Sequence, residues 1–441
     1  MLAPYRALFA SGCLLFSAPL FGAEAEWPQF RGPAGQGHAP QALGLPTAWS
    51  EHENIVWKAP LPGKGWSSPV ILGNQIWLTT AIETPLTDEE RAKRLADNPF
   101  AKTLVLSGPL SLRALCVDRR SGQIVHNVEL LVEQNPQPMH AMNSYASPTP
   151  VLEAGRLYCH FGAFGTACLD TDRGEVVWTN RELVINHENG PGSSPVLWQD
   201  LLIFHCDGSD IQFIVALDKA TGRVAWKTPR SGKMNDNPQL KKSYGTPLIL
   251  EVAGEPQLFS PASDWLYGYD PATGRELWKM PYETLGFSVV PRPVAGHGML
   301  FLSTSFMQPQ ILGVKYDGEK TPKIAWRFAK QAPTMPSPLL VGEELYIVSE
   351  RGVATCLNAL TGEVHWTERL PGNYAASPLL ADGKIHYCSR DGETTVIEPG
   401  KTFRRLAVNK LDGQILASPA AIKDAIYLRT DKALYRIEYL K

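Results

Sequence analysis

The feature that most constrains this chain is a repeated ruler. Ser337–Trp366, SPLLVGEELYIVSERGVATCLNALTGEVHW, contains one complete unit. Ser-Pro opens an apolar run, and Tyr346 stands eight residues after Pro338 in a second run. A third run ends at Asn358, a Thr-Gly turn follows at Gly362, and Trp366 closes the unit. Runs of about five residues bounded by turn formers are the pattern of short antiparallel strands. The opening prolines recur at Pro69, Pro150, Pro195, Pro247, Pro293, Pro338, Pro378 and Pro419. Eight residues beyond seven of them stand Trp77, Tyr158, Ile203, Phe301, Tyr346, His386 and Tyr427. After Pro247 the hairpin is lengthened by Gly254-Glu255, and Phe259 takes the slot. Further along, Asp170/Gly174/Trp178, Asp218/Gly222/Trp226, Asp270/Gly274/Trp278 and Asn358/Gly362/Trp366 repeat at intervals of four. His126 replaces Trp after Asp118/Gly122, and the unit after Pro378 is degenerate, with Gly400 and then Arg404. The prolines lie 40–52 residues apart except for one interval of 81. Eight such units predict an all-β, eight-bladed β-propeller of four-stranded antiparallel blades.

Length alone would divide 441 residues into two or three domains, but a closed ring makes one. Residues 1–25 read as a secretory signal, with Arg6, an apolar core over 7–21 and Ala23-Glu24-Ala25 as the cleavage site. The rival reading is a lipoprotein signal, with Ala10-Ser11-Gly12-Cys13 as the lipobox. The apolar run is too short for a membrane span. The expectation is an exported protein, periplasmic or extracellular, and a monomer. Residues 26–53 form an irregular, Gly- and Pro-rich arm expected to lie over the ring. Residues 54–441 form the propeller. Asn54–Pro60, NIVWKAP, matches the Trp-bearing end of a unit, while the last unit lacks its own fourth strand. An N-terminal strand completing the last blade removes an exposed sheet edge. The 81-residue interval holds an insertion over 84–110, where Thr87-x-x-Glu90 starts a short exposed helix.

The pattern S-P…L-Y…G…A/C-L-D-x-x-T-G-x-x-x-W resembles the repeat of pyrroloquinoline-quinone-like (PQQ-like) β-propellers. That family includes quinoprotein alcohol dehydrogenases and a propeller lipoprotein of the outer-membrane β-barrel assembly machinery. The opening WPQFRGPAGQG (27–37) resembles the mature N-terminus of an exported branch of PQQ-like repeat proteins. The likeness covers residues 27–441 and speaks to fold, since one fold hosts many functions. The residues have their own logic too. Asp before a turn accepts nearby backbone N–H groups, Gly gives the permissive backbone, and Trp fills a seam against the neighbouring blade.

The resemblance implies, for its enzymes, a vicinal Cys-Cys pair, a Ca²⁺ held by carboxylate and amide oxygens, and an aspartate base. No two cysteines here are adjacent, and no C-x-x-C-H occurs to hold haem. G-x-S-x-G, H-E-x-x-H and P-loop signatures are absent as well. Cys116, Cys168 and Cys356 share one repeat column with Ala216 and Gly268, which reads as a small packed residue. Asp207 and Asp210 could contribute to a Ca²⁺ site but read better as a solvated turn. The expectation is therefore no cofactor, with PQQ and Ca²⁺ as the alternative. Lys and Arg are dispersed at a net charge of −2, which argues against nucleic acid.

Topology places the loops entering strand one and those joining strands two and three on one face. The first set brings His140, Asn143, Tyr145, His187, Asn189, Lys242, Tyr244, Arg292 and Tyr374. The second brings Asp207, Asp210, Asp264, Arg351, Arg390 and Asp391. This face is expected to be a polar funnel binding a protein partner or a small polar or glycan ligand. The leading expectation is a non-catalytic scaffold. An oxidoreductase with its site in the funnel and an outer-membrane assembly factor are the alternatives.

Overall fold

The computed structural model describes residues 26–98, 101–283, 285–316 and 321–440; the expected signal segment, Cys13 included, lies outside them. Eight four-stranded antiparallel sheets follow one another in chain order. Blade 1 begins at Val70–Leu72 and ends at Ile124–Glu133, and blade 2 runs from Val151–Glu153 to Glu175–Asn180. Blade 3 spans Val196–Trp198 to Val224–Pro229, and blade 4 Leu248–Val252 to Glu276–Pro281. Blade 5 spans Val294–Gly296 to Lys323–Phe328, blade 6 Leu339–Val341 to Val364–Arg369, and blade 7 Leu379–Ala381 to Arg404–Lys410. Blade 8 begins at Ala420–Ile422, and its outer strand is Ile55–Pro60, paired antiparallel with Ala433–Ile437. The eight-residue ruler is a hairpin register. The residue after each proline faces the ruler residue, as in Val70↔Trp77, Leu339↔Tyr346 and Ala420↔Tyr427. In blade 4 the longer hairpin pairs Leu248 with Phe259.

The outer columns form the seams between blades. A small residue pairs with each tryptophan: Cys168↔Trp178, Ala216↔Trp226, Gly268↔Trp278 and Cys356↔Trp366, each followed by a register shift. The indole lies across that position, so a Cβ on Gly268 would come within 2.1 Å of Trp278. This packing accounts for the cysteine column; all six cysteines of the described chain are free and buried. Trp178, Trp226 and Trp326 then reach the turn glycine of the next blade, Gly222, Gly274 and Gly362. Their Nε1–H groups donate to the carbonyls of Lys219 (3.0 Å), Pro271 (3.1 Å) and Ala359 (2.9 Å). Trp57 does the same across the closure, over Gly122 and onto the Arg119 carbonyl at 3.1 Å. These glycines hold φ near +70°, and any side chain there would strike the indole. Asp218 fixes the turn, its Oδ1 accepting the Thr221 N–H at 2.8 Å.

The N-terminal arm lies in the central bore rather than over the ring. Trp27 and Ile71 of blade 1 exchange backbone hydrogen bonds, and the Leu152 N–H of blade 2 donates to the Pro28 carbonyl. Arg31 donates to the Pro338 carbonyl of blade 6 at 2.7 Å, and Gln36 accepts the Ala295 N–H of blade 5. His38–Ala39 then pairs parallel with Leu379–Ala381 as a fifth strand of blade 7. The arm's glycines are required by contact. A Cβ on Gly32 would strike Trp27, on Gly35 the Arg292 guanidinium, and on Gly37 that of Arg31. In the insertion, Thr87 and Glu90 form a complete capping box on the helix Asp88–Leu95. Its later residues Leu104–Val105 pair with Met139–His140, bracing the loop that enters blade 2.

Candidate functional site

The residues before the eight prolines are Ser68, Thr149, Ser194, Thr246, Arg292, Ser337, Ser377 and Ser418. Their hydroxyls stitch the blades together around the axis. The Ser68 N–H donates to Thr149 Oγ1 (3.0 Å), Thr149 N–H to Ser194 Oγ (2.9 Å), and Ser194 N–H to Thr246 Oγ1 (3.2 Å). Arg292, Ser337 and Ser377 donate in the same way to Ser337, Ser377 and Ser418, at 3.0, 3.0 and 2.9 Å. Each link satisfies a buried N–H that no strand pairing reaches. Blade 5 breaks the pattern, since Arg292 has no hydroxyl for blade 4 to use. Its guanidinium instead extends to the arm, donating to the Phe30 carbonyl at 2.7 Å.

Two residues earlier in each blade comes a second ring: Trp66, Ser147, Gly192, Tyr244, Val290, Met335, Ala375 and Leu416. All eight line one axial cavity of about 310 Å³. Its base carries six of the ring hydroxyls and Phe30 of the arm; Met142, Phe287 and Phe306 complete the wall. No Asp, Glu, Lys or Arg lines it. The cavity is a cup, walled by the entering loops and plugged below by the arm.

Of the residues expected on this face, His140, Asn143, Asn189 and Tyr244 line the cup. Burial lowers the pKa of His140. Asn143 donates to the carbonyls of Asn189 (2.7 Å) and Pro191 (3.1 Å), and Tyr244 to that of His187 (2.5 Å), so these side chains hold loops together. The others stand outside the cup. Tyr145 is fully buried and donates to the Gln137 carbonyl. His187 accepts the Ala163 N–H at 2.6 Å, and burial brings its pKa to about 4. Asp207 forms a buried two-bond pair with Arg230 at 2.8 and 2.9 Å. Asp210 caps the Asn186 N–H, and Lys242 pairs with Glu188 at 2.7 Å. Asp264 is half-buried at φ +63°, where burial raises its carboxyl to about 6. Tyr374 is buried, while Arg351 and Asp391 are exposed away from the cavity wall. Arg390 reaches from blade 7 to blade 2, placing Nη1 3.3 Å from Met142 Sδ.

The expectation of a polar funnel is thus corrected to an apolar cup. Tyr145, His187, Asp207, Lys242 and Arg292 are at most 2% exposed. A buried polar group must be bonded, and these are spent on holding the loops. The missed signal was available: aligning the eight blade-opening prolines, seven of them preceded by Ser or Thr, and reading two places back from the residue before each gives the wall of the cup.

The cup does not fit PQQ and a divalent cation. Ca²⁺ asks for carboxylate oxygens and the wall offers none, while the quinone's three carboxylates would find a single guanidinium, Arg390, beside the wall residue Met142. Asp207 faces Arg230 instead of a metal, and no cluster of three metal-ligating side chains occurs among the described residues.

Comparison with known proteins agrees with this architecture. The family described as outer membrane protein assembly factor BamB matches residues 73–228 and 262–416. Outer membrane protein assembly factor BamB of Shewanella oneidensis is 22% identical over 242 residues, covering 51% of this chain and 57% of that one. The match thus spans little more than half the length of that curated relative. Among solved structures, BamB from Moraxella catarrhalis superposes at a TM-score of 0.58 with 13% identity, over 88% of this chain and 97% of that one. A europium-containing methanol dehydrogenase gives 0.61 with 11% identity, over 93% and 90%. At such identities the structural likeness speaks to the fold.

Proposed function

The chain belongs to the PQQ-like repeat family described as outer membrane protein assembly factor BamB, and from that membership we propose an exported, non-catalytic propeller scaffold. It works from the periplasm or beyond, engaging a ligand or protein partner through the face that carries the cup. The observation that carries this reading is the cup itself. All eight blades contribute one residue to its wall, the arm closes its base, and titratable groups nearby are committed to internal bonds. An apolar, preformed concavity is suited to binding. The lip adds to it, since Phe306 and Met307 are 37% and 67% exposed beside the opening. Exposed apolar side chains grouped at a concavity mark contact surfaces.

The family membership favours one partner class, the proteins that assemble outer-membrane β-barrels. A photo-crosslinking residue at Met307 tests this in intact cells, with Val177 on the outer edge of blade 2 as control. Crosslinks from Met307 to envelope assembly proteins, absent from Val177, are expected. Equal crosslinking from both positions would remove the cup face as the docking surface.

A further inference from the structure

Cations and anions are unevenly distributed along the axis. Behind Phe30 lie two buried guanidiniums, Arg31 and Arg292, with backbone carbonyls and Gln29 as partners and no carboxylate. Arg31 Nε and Nη1 and Arg292 Nε have no hydrogen-bond partner; burial lowers the pKa of both guanidiniums, and the Arg292 charge lowers that of Arg31 further. At the mouth, Arg390 rests on the Met142 thioether, a weak acceptor, and its buried Nε has no partner. The nearby Glu350 carboxylate is engaged by the Thr334 and Met335 N–H groups. Asp391, next in sequence, is exposed. Guanidiniums thus stand behind the base at Phe30 and beside the wall residue Met142, while the wall itself carries no charged side chain.

We propose that the cup binds a small amphiphilic carboxylate, with its apolar body against the ring of Trp66, Met335 and Leu416 and its carboxylate on Arg390. The inference rests on the cup being the binding site and adds the chemistry of its occupant. A thioether is a poor partner for a guanidinium, and a carboxylate would replace it with a charge-assisted, bidentate pair. The cavity lies at the small end of the size range for ligand pockets, which matches a single ring or short alkyl body. The buried arginines behind Phe30 favour the same sign of charge without touching the ligand.

The test uses 4-phenylbutyrate and its amide, titrated against the mature chain by calorimetry. The acid is expected to bind roughly tenfold or more tighter than the amide, the size of one charge-assisted hydrogen bond. Arg390→Gln should erase that preference while leaving the amide's affinity unchanged; the half-buried side chain gives up one weak bond, to the Met142 thioether, and a wild-type melting transition checks that the variant folds. Ala375→Phe, which fills the cup, should abolish binding of both. Equal binding of acid and amide, or a preference that survives Arg390→Gln, overturns the carboxylate. Tighter binding of a Phe-ended peptide acid than of phenylbutyrate overturns a small ligand in favour of a chain terminus. If neither probe binds while Met307 still crosslinks envelope partners, the occupant is wrong and the scaffold stands. If both fail, the cup is not the site.

Discussion

The propeller carries two concentric rings built from the same repeat, and they differ in what they hold constant. The outer ring repeats whole side chains: Trp178, Trp226 and Trp326 each lie on a turn glycine of the next blade and donate to a carbonyl there. The inner ring repeats a single atom, the hydroxyl before proline, and lets the residue two places earlier vary from Gly192 to Trp66. The seam keeps a ring over a turn glycine even where Trp is lost, as at His126 over Gly174. A cup need only keep its backbone fixed, so its wall is free to become specific.

The comparison breaks most severely if the ring is opened. Deleting residues 54–60 removes both the outer strand of blade 8 and the Trp57 seam onto blade 1. It exposes an unpaired edge along Ala433–Ile437. The expected result is loss of the cooperative melting transition by calorimetry. A wild-type transition would mean that the ring does not depend on this strand.

A single seam is the next largest effect. Trp226 is 9% exposed, and its removal leaves a cavity over Gly274, so Trp226→Ala should cost about 3–5 kcal/mol in denaturant unfolding. Blade 1 offers a natural contrast, because His126 occupies the slot over Gly174 there. His126→Ala should cost less than Trp226→Ala, since less buried area is lost. The reverse order would mean that the seams are not held by the size of the side chain.

Acid acts on the fold through buried histidines. Burial lowers His386 and His187 to about 4 and His160 to about 3, and holds His205 well below its ordinary value. The unfolded chain takes up these protons near pH 6.5, whereas the folded one does not. Stability is therefore complete above about pH 6.5 and falls toward pH 4, by up to about 1.4 kcal/mol per pH unit for each histidine. His386 occupies a ruler slot that is aromatic in most other blades, so His386→Phe should fit and make melting temperature less dependent on pH over this range. An unchanged slope would show that His386 is protonated in the fold.

The outer ring was legible in the sequence because its signals are large residues at fixed spacing. Pro, Trp and Gly state both the blade count and the hairpin register, down to the longer hairpin of blade 4. The closing strand was legible for the same reason. The arm was not, because its path through the bore depends on glycines whose neighbours, Trp27, Arg292 and Arg31, meet them only in the closed ring. The candidate site was half legible. His140, Asn143, Asn189 and Tyr244 belong to the loops that line the cup. Asp207 and Lys242, however, looked like ligand-binding charges, and their partners Arg230 and Glu188 come from distant positions in the chain. Polarity in a loop does not reveal whether the side chain faces water or another loop.

The smallest effect on stability separates the two layers of the inner ring. Ser194 Oγ accepts the Thr149 N–H, and Ser194→Ala leaves that buried donor without a partner, so unfolding should become easier by about 1–3 kcal/mol. Ala375 lies in the wall layer, half-buried and facing the cavity. Placing Phe there removes no hydrogen bond, so Ala375→Phe should leave unfolding within about ±0.5 kcal/mol, the range of substitutions that disturb no packed core or bonded group. Its effect should fall on binding, because the ring fills the cavity from blade 7. Denaturant unfolding and ligand titration on the same two variants decide the matter. If Ser194→Ala melts as the parent does, the hydroxyl layer does not hold the blades. If Ala375→Phe unfolds early, the wall layer is part of the core and not a surface free to vary.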